Sequence, residues 1–296
     1  MTKNKHIPVM LAEALDALKI KSNSWYIDAT FGQGGHTKEI LNLGGNVIAF
    51  DYDQDNIEVG QEKFASETKK GSLILIRENF DQLEKIIKEL GLPVAGILFD
   101  FGTTSEQLMS PKKGLSFEGE DQELDMRLDD RLGVKAKDLL AVMGQKQLQK
   151  IFEVFGGEKE ARKIAHEIIE KRRAGEFITT VGQLVQLIKL TKAHNPKNIH
   201  PATKVFQALR IAVNDELSNI NRTMPQTIKI LEPDSKIITI AFHEGEDRII
   251  KNYFKKWQVE NKGQQLTKKV IKPTEKEISN NPKARSARMR IFRKNK

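Results

Sequence analysis

Four short apolar runs, Trp25–Ala29, Val47–Phe50, Leu73–Ile76 and Ile97–Phe99, punctuate the first hundred residues. Between them lie segments with apolar residues at helical spacing: Thr37–Leu43, Gln54–Ala65, and Asp81–Leu90 with Leu83, Ile86, Ile87 and Leu90. A continuous apolar strand has no face to show to water and must be covered on both sides. Strands of this kind alternating with amphipathic helices predict a parallel sheet with helices on both faces. In such a sheet a ligand sits beyond the carboxyl ends of the strands, where strand order reverses.

The rhythm then changes. Met109–Asp130 reads as loop, with Pro111, Gly114 and Gly119. From Ala136 to about Leu190 the spacing is helical throughout, as in Leu148, Ile151, Phe152, Phe155 and then Ile164, Ile168, Ile169. Strand character returns only at Lys236–Phe242. The expected organisation is an α/β domain formed by residues 1–108 and 206–296, interrupted by a helical insertion at 109–205 that serves substrate recognition. Lys268–Lys272 and Arg285–Phe292 are two further strand candidates, suited to an antiparallel edge hairpin.

The three acid-bearing strand ends carry the chemistry. Asp28-Ala-Thr-Phe-Gly32-Gln-Gly34-Gly35-His36 places a glycine turn after the first strand, where the absence of Cβ atoms lets backbone approach a ligand. The bland alternative is a plain βα turn. Asp51 ends the second strand, where an acid can accept two ribose hydroxyls. Asp53 serves equally well as a helix N-cap. Phe80 suits contact with an adenine or a place in the core, and Gln107 either contacts the cofactor or caps its own turn. Asp100 ends the fourth strand in Asp100-Phe-Gly102-Thr-Thr-Ser105. A methyltransferase acting on an exocyclic amine needs an acceptor there, because the amine is conjugated into its ring and is a poor nucleophile. Holding it in line with the methyl donor supplies much of the rate, since positioning alone is worth roughly 7–11 kcal/mol in well-oriented intramolecular reactions. Asp100 could instead cap a helix or bind the ammonium group of the cofactor.

The net charge of +9 is unevenly spread. Arg248 to Lys296 holds 16 Lys and Arg against three Glu, which leaves the rest of the chain mildly acidic. A basic end on an acidic body points to a polyanionic partner met on one side, or else to a solvated tail. Cysteine is absent, which excludes disulfides, cysteine-ligated zinc and cysteine nucleophiles. Met1 to Ile20 contains no continuous apolar block, and no window approaches the roughly 18 apolar residues of a membrane span. The expectation is a cytoplasmic protein with no membrane and no metal; a homodimer is compatible with the sequence.

At these residues the chain resembles the RsmH (MraW) family, S-adenosylmethionine-dependent methyltransferases of the N4 amine of a decoding-centre cytidine in 16S rRNA. The likeness runs nearly end to end. It is carried by His6-Ile-Pro-Val9, the glycine turn, Asp100-Phe-Gly-Thr-Thr-Ser-Glu-Gln-Leu108 and Leu124-Asp-Met-Arg127. It continues in His200-Pro-Ala-Thr-Lys-Val-Phe-Gln-Ala-Leu-Arg-Ile-Ala-Val-Asn214, Phe242-His-Glu-Gly-Glu-Asp-Arg248 and Asn281-Pro-Lys-Ala-Arg-Ser-Ala-Arg-Met-Arg290.

The resemblance implies a class I, Rossmann-like methyltransferase sheet with an inserted all-helical domain, and S-adenosyl-L-methionine as cofactor. It implies cofactor contacts at Gly34, Gly35, His36, Asp51, Phe80, Asp100 and Gln107, and 16S rRNA of the small ribosomal subunit as partner. Ser105 and His243 stand in two of these motifs and join Asp100 as catalytic candidates. Lys204, Arg210 and Asn214 on one helical segment, and Arg285, Arg288 and Arg290 near the last strand, are the RNA-binding candidates. For Arg210 an ion pair with an acid is the alternative; for the arginines near the last strand, a solvated edge strand. The chain departs from the family at Thr103-Thr104, at Glu106 in place of Pro, and at Glu244-Gly245 in place of Ser-Leu. The added acids Glu106 and Glu244 would weaken phosphate binding. They motivate a rival reading as a weakly catalytic or non-catalytic ribosome-binding or assembly protein that keeps the fold.

Overall fold

The computed structural model describes residues 8–192 and 200–296. His6 and Ile7, half of the opening motif, lie outside the described residues. The chain divides into two compact units, Met1–Thr103 with Leu217–Lys296, and Thr104–Glu216.

The first unit opens with α1 (Leu11–Leu18), β1 (Trp25–Asp28), α2 (Gly35–Asn42), β2 (Asn46–Phe50), α3 (Gln54–Lys63), α4 (Ala65–Lys69), β3 (Leu73–Ile76), α5 (Leu83–Leu90) and β4 (Val94–Asp100). The second unit carries α6 (Ser105–Met109), α7 (Ala136–Val142), α8 (Gln145–Val154), α9 (Ala161–Arg173), α10 (Val181–Thr191) and α11 (Thr203–Asn214). The chain then runs through α12 (Glu216–Ile230), β5 (Leu231–Ala241), α13 (Glu244–Val259), β6 (Gly263–Gln265), α14 (Glu275–Asn280) and β7 (Arg288–Lys294). Helix α11 thus falls in the second unit, although the sequence suggests a return to the α/β domain at residue 206.

The seven strands form one sheet in the order β3-β2-β1-β4-β5-β7-β6, with β1 to β5 parallel and β7 antiparallel to β5. This is the expected class I, Rossmann-like methyltransferase sheet. Period-two alternation splits the apolar runs between two cores. Tyr26, Val47, Ala49, Leu98, Ile238 and Ile240 pack on one face with Ala14, Leu18 and Ile40. Ile27, Ile48, Phe50, Ile97, Phe99 and Ile237 pack on the other with Leu83, Ile220, Phe254 and Trp257. In the helical unit, Leu148, Phe152, Ile164, Ile168, Leu184, Ile188 and Leu209 are buried. Among the described residues no helix is long and apolar enough to cross a membrane.

The basic end departs from the expected edge hairpin. Strand β7 begins at Arg288 and lies between β5 and β6, so it is an interior strand. Its outer partner is Gly263–Gln265; the proposed Lys268–Lys272 contributes only an isolated bridge from Ile271 to Met289. Gly263 explains the shift. A Cβ there would come within 2.2 Å of the Arg293 carbonyl oxygen, so only glycine lets β6 lie so close to β7. Arg285 sits in a 3-10 turn, Pro282–Ser286, before the strand.

Strand β7 is tied to α13 by a bidentate ion pair. Arg290 Nε donates to Asp247 Oδ1 at 2.6 Å and Arg290 Nη2 to Oδ2 at 3.0 Å, both side chains being buried. Breaking a buried pair from one side strands a charge, at a cost of about 3–5 kcal/mol. Arg290→Leu is therefore expected to lower the unfolding free energy by about that amount in urea titrations. The double variant with Asp247→Leu should recover much of the loss. Equal stability of wild type and Arg290→Leu would contradict the assignment.

Candidate functional site

Parallel register brings the strand ends together. The Ala29 N–H donates to the Leu98 carbonyl, Phe31 N–H to Phe50, and Phe101 N–H to Ile240. The end of β4 is pinned sideways as well, because the Asp100 N–H donates to Thr30 Oγ1 at 2.6 Å. Four strand ends thus present Asp28, Asp51, Asp100 and the Phe242–Glu246 turn along one edge of the sheet.

The glycine turn after β1 is shaped by its own packing. Gly34 has φ +70, and a Cβ on it would meet Phe64 at 2.6 Å and Phe31 at 2.7 Å. A Cβ on Gly35 would lie 2.2 Å from Pro8 Cγ. Both positions therefore demand glycine before any ligand is considered. No side chain caps α2, which leaves its first N–H groups facing outward from the turn. His36 is buried, with Nε2 3.2 Å from the Val9 carbonyl oxygen. Its place fits a tie between the N-terminal segment and the turn.

Asp51 accepts hydrogen bonds from the N–H groups of Gly32 at 2.8 Å and Asp53 at 2.9 Å, and from Asn56 Nδ2 at 3.0 Å. Its carboxylate is thereby fixed against the glycine turn with one lone-pair site, on Oδ1, to spare. Burial pushes it up to about 7, against those donors and with help from the Asp53 charge. Asp53 itself caps α3 through the Asp55 N–H, as its alternative reading anticipated. Phe80 is buried edge-on against Phe99 and Phe101, at centroid distances of 5.8 and 5.9 Å. Its ring packs into the core on that face of the sheet.

Asp28 and Asp100 hold the unusual electrostatics. Asp28 accepts from Thr37 Oγ1 at 2.7 Å and from the Thr30 N–H at 3.3 Å, and burial still pushes it up to about 6. Burial pushes Asp100 up to about 7; the Gly102 N–H opposes this, while the charges of Asp28 and Glu246 add to it. Asp100 Oδ1 is buried and has no hydrogen-bond partner among the described residues. A buried carboxylate oxygen without a donor is costly, and in a functional site it marks a place for a donor from outside the protein.

Glu246 has no place among the sequence candidates. It accepts from the N–H groups of Phe242 at 2.7 Å and His243 at 3.2 Å, closing the N-terminus of α13 as a capping box. Its other oxygen lies 3.1 Å from His243 Nε2. His243 Nδ1 accepts the Gly245 N–H at 3.2 Å, so the ring proton belongs on Nε2, which is near Glu246 but makes no hydrogen bond among the described residues. An acid three residues after a polar residue at a strand end is a readable capping signal; its proximity in charge to Asp100 is set by the sheet alone.

In the helical unit Gln107 and Thr104 form a reciprocal capping box on α6, the capping alternative weighed for Gln107. Ser105 is the first residue of that helix, and Glu106 beside it is exposed, as is Glu244 in the first unit. The RNA candidates separate into two kinds. Lys204 is exposed and donates to the Gly157 carbonyl at 2.8 Å, and Arg285 and Arg288 reach solvent. Arg210 is committed to a bidentate pair with Glu216 at 2.8 and 3.0 Å. Asn214 is buried, donating to the Met126 carbonyl and accepting the Leu128 N–H. Arg290 is held by Asp247. For Asn214 and Arg290 the expected RNA contact is corrected: burial and satisfied hydrogen bonds make them structural.

A family model described as the MraW methylase family matches residues 3–295. A ribosomal RNA small subunit methyltransferase H of Halothermothrix orenii is 38% identical, over 97% of this chain and 97% of that protein. The enzyme of the same name from Coprothermobacter proteolyticus is 37% identical, over 98% of this chain and 96% of its own. The crystal structure of an rRNA methylase from Streptococcus thermophilus aligns with a TM-score of 0.45 and 10% identity, over 99% of this chain and 100% of that one.

The raised carboxyls set a pH dependence. A carboxyl whose folded pKa lies above its ordinary value costs nothing when protonated in both states. Its penalty grows as pH rises from the ordinary value near 4 to the folded value, and is complete above it. For Asp100 that window runs from 3.8 to about 7. Asp100→Asn is accordingly expected to raise the melting temperature of the ligand-free protein at pH 8 and to leave it nearly unchanged at pH 4. A shift of equal size at both pH values would contradict the burial and charge argument.

Proposed function

Because the chain belongs to the MraW methylase family, we propose that it methylates the exocyclic N4 amine of a decoding-centre cytidine in 16S rRNA, using S-adenosyl-L-methionine. The observation that carries the reading is the partnerless Asp100 Oδ1 at the end of β4, beside Asp28 and Glu246. The names of the relatives support the ribosomal RNA substrate.

The residues fit the cofactor in charge and in kind. S-adenosylmethionine carries a sulfonium and an ammonium, and the strand ends offer buried carboxyls that ionise more readily beside a cation. Asp51 would take a ribose hydroxyl on the lone-pair site of Oδ1 that Gly32, Asp53 and Asn56 leave unused. The glycine turn and the uncapped start of α2 would face the rest. When bound, the cofactor supplies a methyl group made electrophilic by the positive sulfur.

The chain's own residues then act on the amine. Its nitrogen must offer an electron pair to the methyl group and lose one proton. Asp100 Oδ1 would accept an amine N–H, directing the nitrogen lone pair, and a carboxyl near pH 7 is suited to take the proton as positive charge develops. His243, accepting the Gly245 N–H on Nδ1, would keep the α13 turn in place beside it. A base must leave its stack to reach such a site, and Lys204, Arg285 and Arg288, which reach solvent, would meet phosphates.

Labelled methyl transfer to purified 30S particles, followed by mass mapping of the nucleotide, tests the reading. The expected product is N4-methylcytidine in the decoding centre. Label on another base or on DNA would overturn the specificity, and no transfer at saturating cofactor would favour a ribosome-binding protein that keeps the fold. Asp100→Asn should lower turnover by roughly 10²-fold, within the range for a lost acid–base group. Asp51→Ala should weaken cofactor binding roughly tenfold or more by calorimetry, as expected for lost hydrogen bonds to a charged acceptor. Unchanged binding would refute its ribose role.

A further inference from the structure

A pocket of about 570 Å³ lies against the later turns of α13 and the β6–β7 edge, lined by Lys251, Lys255, Gln258, Gln264, Lys268 and Asn295 with their neighbours. None of its residues belongs to the strand-end site. Lys251, Lys255 and Gln258 follow each other at i, i+4 and i+7 and share one face of α13. The adjoining face, with Ile250, Phe254 and Trp257, is buried. Gln258 fastens the helix to β6 by accepting the Gln265 N–H at 3.0 Å. Arg293 Nη2 donates to Gln264 Oε1 at 3.0 Å, so the wall opposite the helix is also anchored.

The three lysines are exposed, and none has a hydrogen bond or an ion pair with any described residue. Asp247, four residues before Lys251, is taken by Arg290, and Glu260 is engaged by Lys256 and Lys262. Three unpartnered ammonium groups around one pocket repel each other, and the like charges four apart on α13 disfavour the helix itself. An anion relieves both. The pocket exceeds the needs of a single phosphate and falls in the size range of nucleotide-sized ligands. Every lining side chain is cationic or an amide, and no apolar side chain lines it, which disfavours the aromatic and aliphatic anchors of a protein partner. A ribose–phosphate chain offers phosphates to the lysines, and hydroxyls and base edges to the amides.

We infer that this pocket is a second RNA-contact site, taking a single-stranded stretch of the substrate's phosphodiester backbone away from the methylated base. The inference rests on the rRNA reading of the function. It adds Lys251, Lys255 and Lys268 to the RNA-binding residues; Arg290 also lines the pocket, with its guanidinium held by Asp247.

Binding of the K251E/K255E/K268E variant is compared with wild type on two probes, purified 30S particles and a protein-free decoding-region fragment of 16S rRNA. The expected result is at least a tenfold loss of affinity for both. The slope of log affinity against log salt should flatten by about 2, the value for three lost contacts to a single strand. Cofactor affinity should be unchanged, which shows that the variant is folded, and the K251R/K255R/K268R variant should retain RNA affinity. Unchanged affinity and slope would overturn the inference. Loss on 30S particles alone, with the fragment still bound normally, would assign the pocket to a ribosomal protein and also overturn it. Wild-type RNA binding that depends on the lysines without any methyl transfer would sustain the pocket and sink the methyltransferase reading instead.

Discussion

Asp28, Asp100 and Glu246 end or follow three neighbouring strands, β1, β4 and β5; Asp28 and Glu246 are buried, and Asp100 is partly buried with its Oδ1 shielded. The sheet leaves them no alternative, because parallel strands in register finish at one level. Holding Asp100 near pH 7 corresponds to roughly 4 kcal/mol of ionisation penalty at three pKa units. That is a large fraction of the stability of an ordinary domain. A fold maintains such a cost where an external cation or donor offsets it, and we place that donor at Asp100 Oδ1, which has no partner among the described residues.

The rest of the first unit can be understood as holding this edge still. Thr30 fixes the end of β4 from β1, and Glu246 fixes the start of α13 through two N–H groups and faces His243. Asp247, the next residue, anchors β7 through Arg290. One short segment of α13 therefore joins the reacting edge to the basic end of the chain. Two residues of consecutive number carry opposite duties, one toward the site and one toward the sheet.

The sheet was legible because apolar strands and amphipathic helices differ in period, and β1 to β5 fall on or around the runs that periodicity marks. The helical insertion was legible for the same reason. The basic end was not, since Gly263 decides which segment can lie against β7, and a glycine in a lysine-rich stretch gives no periodic signal. Among site residues, Asp51 and Asp100 were readable as acids at strand ends. Glu246 was hidden, because its sequence position announces a helix cap while its charge acts on Asp100 across the sheet. Arginines resisted assignment most. Nothing in the sequence separates Arg290, buried on Asp247, from Arg288, which reaches solvent two residues earlier.

We hold that the raised carboxyls of this edge ionise to receive a cationic cofactor. Calorimetry of S-adenosylmethionine binding at pH 7, repeated in buffers of different ionisation enthalpy, measures this directly. A cation that lowers carboxyls poised near pH 7 must displace protons, so the account predicts net proton release on binding, reduced by Asp100→Asn. Binding with no proton release, or with net uptake, would contradict it.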